Sequence, residues 1–108
     1  MITLNEAEKV IKKYPDRTPV LVYPINEKIQ QLDKNKYLIP KDLIIASLIA
    51  VIRSRLRLYK TDALFFFIKV GSNYIVPESG LLIDYIYRIY KNAEGFLRIY
   101  YGLENTYG

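Results

Sequence analysis

The period of the apolar positions changes from segment to segment along the chain, without any internal repeat. Leu4, Ala7, Val10, Ile11 and Tyr14 recur at helical spacing, and Thr3 with Glu6 and Asn5 with Glu8 both have the capping-box separation. A short helix is therefore predicted to open near residue 4 and to stop before Pro15. Residues 18–23 are β-branched and apolar between prolines, and residues 36–39 are a second short apolar run ending at Pro40, so both read as strands. Residues 43–58 predict the longest helix, with Asp42 as its cap and Arg53, Arg55 and Arg57 as cations suited to its C-terminus. At about 100° per residue, Ile45, Leu48, Ile49, Ile52 and Leu56 make its core stripe, while Ile44 and Val51 lie on a shoulder shared with Leu48 and Arg55. The run ALFFFIKV at 63–70 is the kind of strand buried in mid-sheet, and residues 71–80 read as a loop or irregular hairpin containing Pro77. Helical spacing returns over 81–90, a turn follows at 92–95, a last strand spans 96–101, and residues 102–108 form a polar tail.

This order predicts an α+β protein of the β-grasp type, with a four-stranded mixed sheet, a long crossing helix, a short helix and one N-terminal helix. A right-handed crossover is expected to set the third strand beside the first and parallel to it. A ferredoxin-like sandwich would need a strand before the long helix and a second complete βαβ unit, and the early hairpin argues against it.

Composition narrows the chemistry. The chain has 108 residues, enough for one domain, and contains no Cys, His or Trp. Thiolate nucleophiles, imidazole or thiolate metal sites and every His-based triad are thereby excluded. No catalytic residue, metal ligand or cofactor is predicted, and the chain is not expected to be an enzyme. The net charge is +5, with 12 basic and 6 acidic residues in 1–60 against 4 and 5 in 61–108. An anion-attracting face is accordingly expected from the first half. The longest apolar stretch, residues 43–52, is about half of what a membrane-spanning helix needs.

Specific strings then carry a resemblance. Residues 12–19 (KKYPDRTP), 32–40 (LDKNKYLIP), 51–55 (VIRSR), 62–67 (DALFFF) and 104–108 (ENTYG) resemble, in the same order, the signature segments of the ubiquitin-like autophagy modifiers, the family of GABARAP and the microtubule-associated light-chain-3 proteins. The resemblance implies a single ubiquitin-like domain over residues 1–108, with a helix within 1–15 and a conjugation tail at 102–108. It also implies that Gly108 is activated by an E1-like enzyme, passed to an E2-like enzyme and joined to phosphatidylethanolamine. Having no Cys or His, the chain would be the passenger in that relay. A monomer is expected, cytoplasmic, and on the autophagosomal membrane once lipidated. If Gly108 is the natural end, no protease is expected to be needed to expose it.

The second implied role is recruitment of autophagy receptors carrying an aromatic-x-x-aliphatic motif, paired as an extended strand along residues 34–38. Position by position, the resemblance assigns a first peptide pocket to Glu6, Val10, Pro19, Leu21, Lys36, Leu38 and Phe96. A second is assigned to Tyr37, Ile39, Pro40, Leu43, Leu48, Val51 and Ile52, and Arg17, Lys34 and Arg55 would meet an acidic flank of the motif. Leu48 stands where the family commonly has an aromatic residue. Taken singly, Val10, Leu21, Leu38 and Ile52 also fit a core, and Lys34 and Lys36 also fit an edge strand guarded against aggregation. Two other readings stay open: a β-grasp modifier conjugated to protein or an unconjugated docking domain, and a small basic nucleic-acid-binding domain. The first lacks the Trp that precedes Gly in the protein-conjugated sibling; the second lacks an aromatic RNA-binding strand signature, so no nucleic acid is expected.

Overall fold

The computed structural model describes residues 4–103. Helix α1 (Glu6–Lys13) starts at Asn5, whose side chain accepts from the Glu8 N–H at 2.8 Å while the Glu8 carboxylate accepts from the Asn5 N–H at 3.1 Å. The alternative cap at Thr3 lies outside the described residues. Tyr14 ends the helix because Pro15 has no N–H to continue it. Strands β1 (Arg17–Pro24) and β2 (Lys36–Pro40) pair antiparallel. Helix α2 (Ile45–Ser54) crosses the sheet, followed by β3 (Leu64–Val70), the short β4 (Asn73–Ile75), helix α3 (Ile83–Tyr90) and β5 (Leu97–Leu103). The fold is the ubiquitin-like β-grasp, a mixed sheet with three helices.

Three details differ from the sequence reading. The sheet has five strands among the described residues, in the order β2-β1-β5-β3-β4. Residues 71–80 supply the extra one, a hairpin arm of three residues turning at Gly71, whose φ of +62° suits glycine. Second, β3 does not lie beside β1. The parallel neighbour of β1 is β5, and β3 runs antiparallel to β5 one place farther out. The centre goes to β5, which pairs with both β1 and β3; on one face Leu97, Ile99 and Tyr101 are fully buried, and on the other Gly102 and the adjoining Phe96 are buried while Arg98 is exposed. Strand β3 is buried through Phe66, Phe67 and Ile68 and ends in exposed Lys69 and Val70.

Third, α2 is shorter than residues 43–58 and Asp42 does not cap it. Its first N–H groups are satisfied from across the fold, Ile45 donating to the Leu81 carbonyl and Ala46 to that of Ser79, each at 2.9 Å. Ile44 forms an antiparallel bridge with Leu82, so it stays extended and the helix opens only at Ile45. At the other end Arg53 donates to the carbonyls of Asp62 (2.7 Å) and Tyr59 (2.9 Å), binding the following loop to the helix, and Arg57 lies beyond it.

The main core lies between α2, α3 and one face of the sheet, where Ile45, Leu48 and Ile52 meet Val20, Val22, Ile99 and Tyr101, all fully buried. A smaller cluster on the other face seats α1 through Ala7 against Leu21 and Phe96. The tyrosines that enter the core keep a partner: the Tyr101 hydroxyl donates to Gln30 C=O and the Tyr87 hydroxyl to Gly95 C=O, both at 2.7 Å. Burial pushes the Tyr101 phenol up to about 12, and that of Tyr87 also upward. Among the described residues no helix is long and apolar enough to cross a membrane, and no group of acidic residues could hold a metal.

Candidate functional site

The outermost position of β2 sets up the site. Val22 N–H donates to Asn35 C=O at 2.8 Å, which makes that pair a hydrogen-bonded one, so alternation gives the same status to Val20 with Tyr37 and Thr18 with Ile39. The backbone groups of Lys36 and Leu38 consequently point away from β1, toward the open edge. Pro19 sits opposite Leu38, a non-bonded position where its missing N–H costs nothing. Side chains alternate across this edge: Tyr37 and Ile39 turn into the main core beside α2, whereas Lys36 and Leu38 lie on the face of α1.

A cleft of about 510 Å³ runs over the edge. From the first predicted pocket it collects Glu6, Val10, Lys36, Leu38 and Phe96; from the second, Tyr37, Ile39 and Val51; and from the predicted flank, Lys34 and Arg55. All the residues lining it were thus named from the sequence. Pro19 and Leu21 are buried beneath it, Leu21 packed with Ala7 and Phe96. Leu48 and Ile52 do not reach it. Both are fully buried on the core side of α2, so they support the helix while Val51, 39% exposed, presents the apolar surface. Leu43 is half-buried against the same core. Arg17 and Pro40 face each other at the far end of the β1–β2 ladder and line a separate cleft of about 290 Å³ with Asp16, Lys41 and Asp42, so Arg17 is not grouped with Lys34 and Arg55. Gly108 lies outside the described residues.

Electrostatics around the edge are cationic but ordered. Lys36 Nζ reaches Glu6 Oε1 at 2.5 Å between α1 and β2, and this hydrogen bond holds the Lys36 ammonium above its usual range. Tyr37 has a cation near its ring from two elements, Lys34 at 5.6 Å and Arg55 at 5.6 Å from the centroid. Its hydroxyl donates to the Lys34 carbonyl at 2.7 Å. Burial raises its phenol, opposed by Arg55. Sequence reasoning overlooked Asn35, whose side-chain amide donates to Val22 C=O at 2.8 Å and fixes where β2 begins; a lone Asn in a polar loop carries no signal for that. The arrangement offers two outward-facing backbone residues, apolar surface on both sides of them, and cations at the rim. It suits an extended peptide with alternating apolar side chains and acidic neighbours.

Known proteins resemble this chain in both sequence and fold. A family model described as "Autophagy protein Atg8 ubiquitin like" matches residues 3–108. Autophagy-related protein 8 of Schizosaccharomyces pombe is 39% identical over 105 residues, which cover 96% of this chain and 84% of that protein. Among solved structures, that of Trypanosoma brucei ATG8 superposes with a TM-score of 0.80 at 34% identity, covering 95% of this chain and 86% of the other. Plasmodium falciparum Atg8, in complex with a Plasmodium falciparum Atg3 peptide, gives a TM-score of 0.76 at 26% identity, covering 90% and 84%.

Proposed function

The chain belongs to the Atg8 family of ubiquitin-like autophagy proteins, and we propose how two parts of it, a docking edge and a carboxyl-terminal glycine, share the work. It is a ubiquitin-like modifier of autophagy. In the proposed cycle Gly108 is activated by an E1-like enzyme, transferred to an E2-like enzyme and joined to phosphatidylethanolamine, which holds the otherwise cytoplasmic domain on autophagic membranes. The chain is the substrate of this chemistry, one domain ending in a conjugation tail. With no Cys or His of its own, it depends on its partners for the nucleophile. Glycine suits the end of such a tail because, lacking Cβ, it threads a narrow active site.

The observation that carries the docking role is the open edge of β2, where Lys36 and Leu38 present unshared backbone groups between apolar surfaces. A receptor segment adds as a further strand there, with its aromatic residue against Val10, Leu38 and Phe96 and its aliphatic residue against Val51 and Ile39. Lys34 and Arg55 attract acidic residues beside the motif and speed encounter more than they fix affinity. Each buried apolar side chain contributes ~1.5 to 3 kcal/mol before association costs, so affinities on the order of micromolar are expected. The Atg3 peptide held by the Plasmodium neighbour supports a conjugation-enzyme segment as another occupant.

The test is reconstitution with cognate E1-like and E2-like enzymes, ATP and vesicles containing phosphatidylethanolamine. A faster-migrating lipidated species that is lost in Gly108→Ala is the expected result. No product, or product insensitive to Gly108→Ala, would overturn the lipid role while leaving the docking role to be judged by peptide titration.

A further inference from the structure

The charge count sets the anion-attracting surface in the first half of the chain, yet three cations of the second half also line one cleft. Residues 61–108 contain four Lys and Arg. Arg88 is held by Asp84 at 3.0 Å. The other three, Lys69, Lys91 and Arg98, line one cleft of about 430 Å³, which no carboxylate lines. None of the three is ion-paired among the described residues. Lys69 and Lys91 each lie near a tyrosine ring, 6.0 Å from the Tyr74 centroid and 5.5 Å from that of Tyr87, contacts that leave both charges in place.

The register sharpens this. The β3–β5 ladder pairs Ile68 with Ile99, so its next step sets Lys69 across from Arg98. Like charges directly opposite in an antiparallel pair oppose sheet formation. Neither cation has an ordinary structural use: β5 is mid-sheet and β3 is covered by β4, so neither guards an edge. Lys91 suits the C-terminus of α3, but the partial charge there, roughly half an elementary charge, is small against three full cations. Local conflict of this kind, with no carboxylate to neutralise it, marks a place prepared for a charge from outside.

We propose that this cleft binds a multiply charged phosphate group, as carried by a soluble inositol phosphate or by the headgroup of a phosphoinositide lipid. The Arg98 guanidinium supplies a bidentate fork and the two lysines supply point charges, a combination matched to compact phosphate oxygens. Asn92 adds amide donors, its Oδ1 being occupied by the N–H groups of Glu94 and Phe96 at 3.0 Å each. At the rim Val70 is 41% and Ile89 52% exposed, apolar surface suited to an inositol ring face or a glycerol backbone. An acidic peptide is the poorer fit, because the sheet edge at this side is β4, three residues long, with little backbone to share. The proposal stands apart from the docking edge, which draws on other residues.

The experiment uses the full chain and two probes: inositol hexakisphosphate, followed by amide NMR and thermal unfolding, and phosphatidylcholine vesicles with and without phosphatidylinositol phosphate, followed by sedimentation. The soluble probe is expected to shift the amides of Gly71, Lys91 and Arg98 and to raise the unfolding temperature. Arg98→Gln and Lys69→Gln should each weaken binding about tenfold, and without ligand Lys69→Gln should unfold no lower than the parent, since it removes a repulsion. Retention on vesicles that needs the phosphoinositide and Arg98 identifies the lipid as the source, and response to the soluble probe alone identifies the free anion; both support the site. It is overturned if neither probe binds, if Lys12→Gln with Lys13→Gln on α1 weakens binding as much as Arg98→Gln, or if an acidic peptide displaces the soluble probe.

Discussion

The two edges of the sheet are built to opposite ends. At one, β4 pairs with β3 through only three residues before the chain turns away toward Pro77, so few backbone groups are offered to a stranger. At the other, β2 runs for five residues, directs the backbone of Lys36 and Leu38 outward, and has a cleft over it rimmed by Lys34 and Arg55. Blunting an edge by shortening it is the usual protection against unwanted strand pairing. Here one edge is blunted and the other is left long but charged, which deters an unselected apolar strand while admitting one that brings acidic residues. On the docking role proposed above, the contrast favours β2 over β4 as the edge a receptor segment would join.

The widest separation between structure and docking is expected within α2. Ile52→Ala, in the core, should lower stability by ~2 to 5 kcal/mol in denaturant unfolding, whereas Val51→Ala should leave stability nearly unchanged and weaken peptide binding several-fold. Equal effects of the two on binding at fixed stability would place Ile52 in the cleft and break the distinction. Next in size, Leu38→Pro deletes an outward N–H without removing a β1–β2 bond, so titration calorimetry should show at least tenfold weaker peptide binding, about 1.4 kcal/mol, with the fold retained. Proline placed at Tyr74 in β4 should not change peptide affinity.

A smaller effect is expected at the strand between the edges. Tyr101→Phe removes a hydrogen bond to Gln30 and should cost about 1 kcal/mol. Because the folded Tyr101 phenol is raised from 10.0 to about 12, its contribution is complete below pH 10 and is lost as pH climbs through 12. The parent's alkaline fall in unfolding temperature should therefore be shallower in Tyr101→Phe. Smallest is Arg55→Gln, for which stopped-flow mixing with an acidic-flanked peptide should show an association rate reduced a few-fold and a weaker salt dependence, the dissociation rate changing little.

Periodicity and punctuation make most elements legible in the amino-acid sequence. The Asn5 and Glu8 spacing locates α1, and the prolines bound β1 and β2. What escapes depends on tertiary partners. The unbroken run in β3 fits a central place and one nearer the edge equally well, and only the pairing of β5 with both β1 and β3 decides between them. The start of α2 moves to Ile45 because Ser79 and Leu81 supply its backbone acceptors, a contact invisible in local sequence. A helical wheel puts Leu48 and Val51 on one shoulder, but packing buries the first and exposes the second. The cations Lys69, Lys91 and Arg98 are scattered along the chain and meet only where the β3–β5 register and the C-terminus of α3 bring them to one cleft.

The central claim, that β2 is an open docking edge, is tested most directly by residue-resolved amide hydrogen exchange with and without a peptide carrying the aromatic-x-x-aliphatic motif. Without peptide, the Lys36 and Leu38 amides should exchange much faster than those of Tyr37 and Ile39, and with peptide they should become protected. Unchanged exchange at Lys36 and Leu38 in the bound protein, or protection arising instead along β4, would contradict the account.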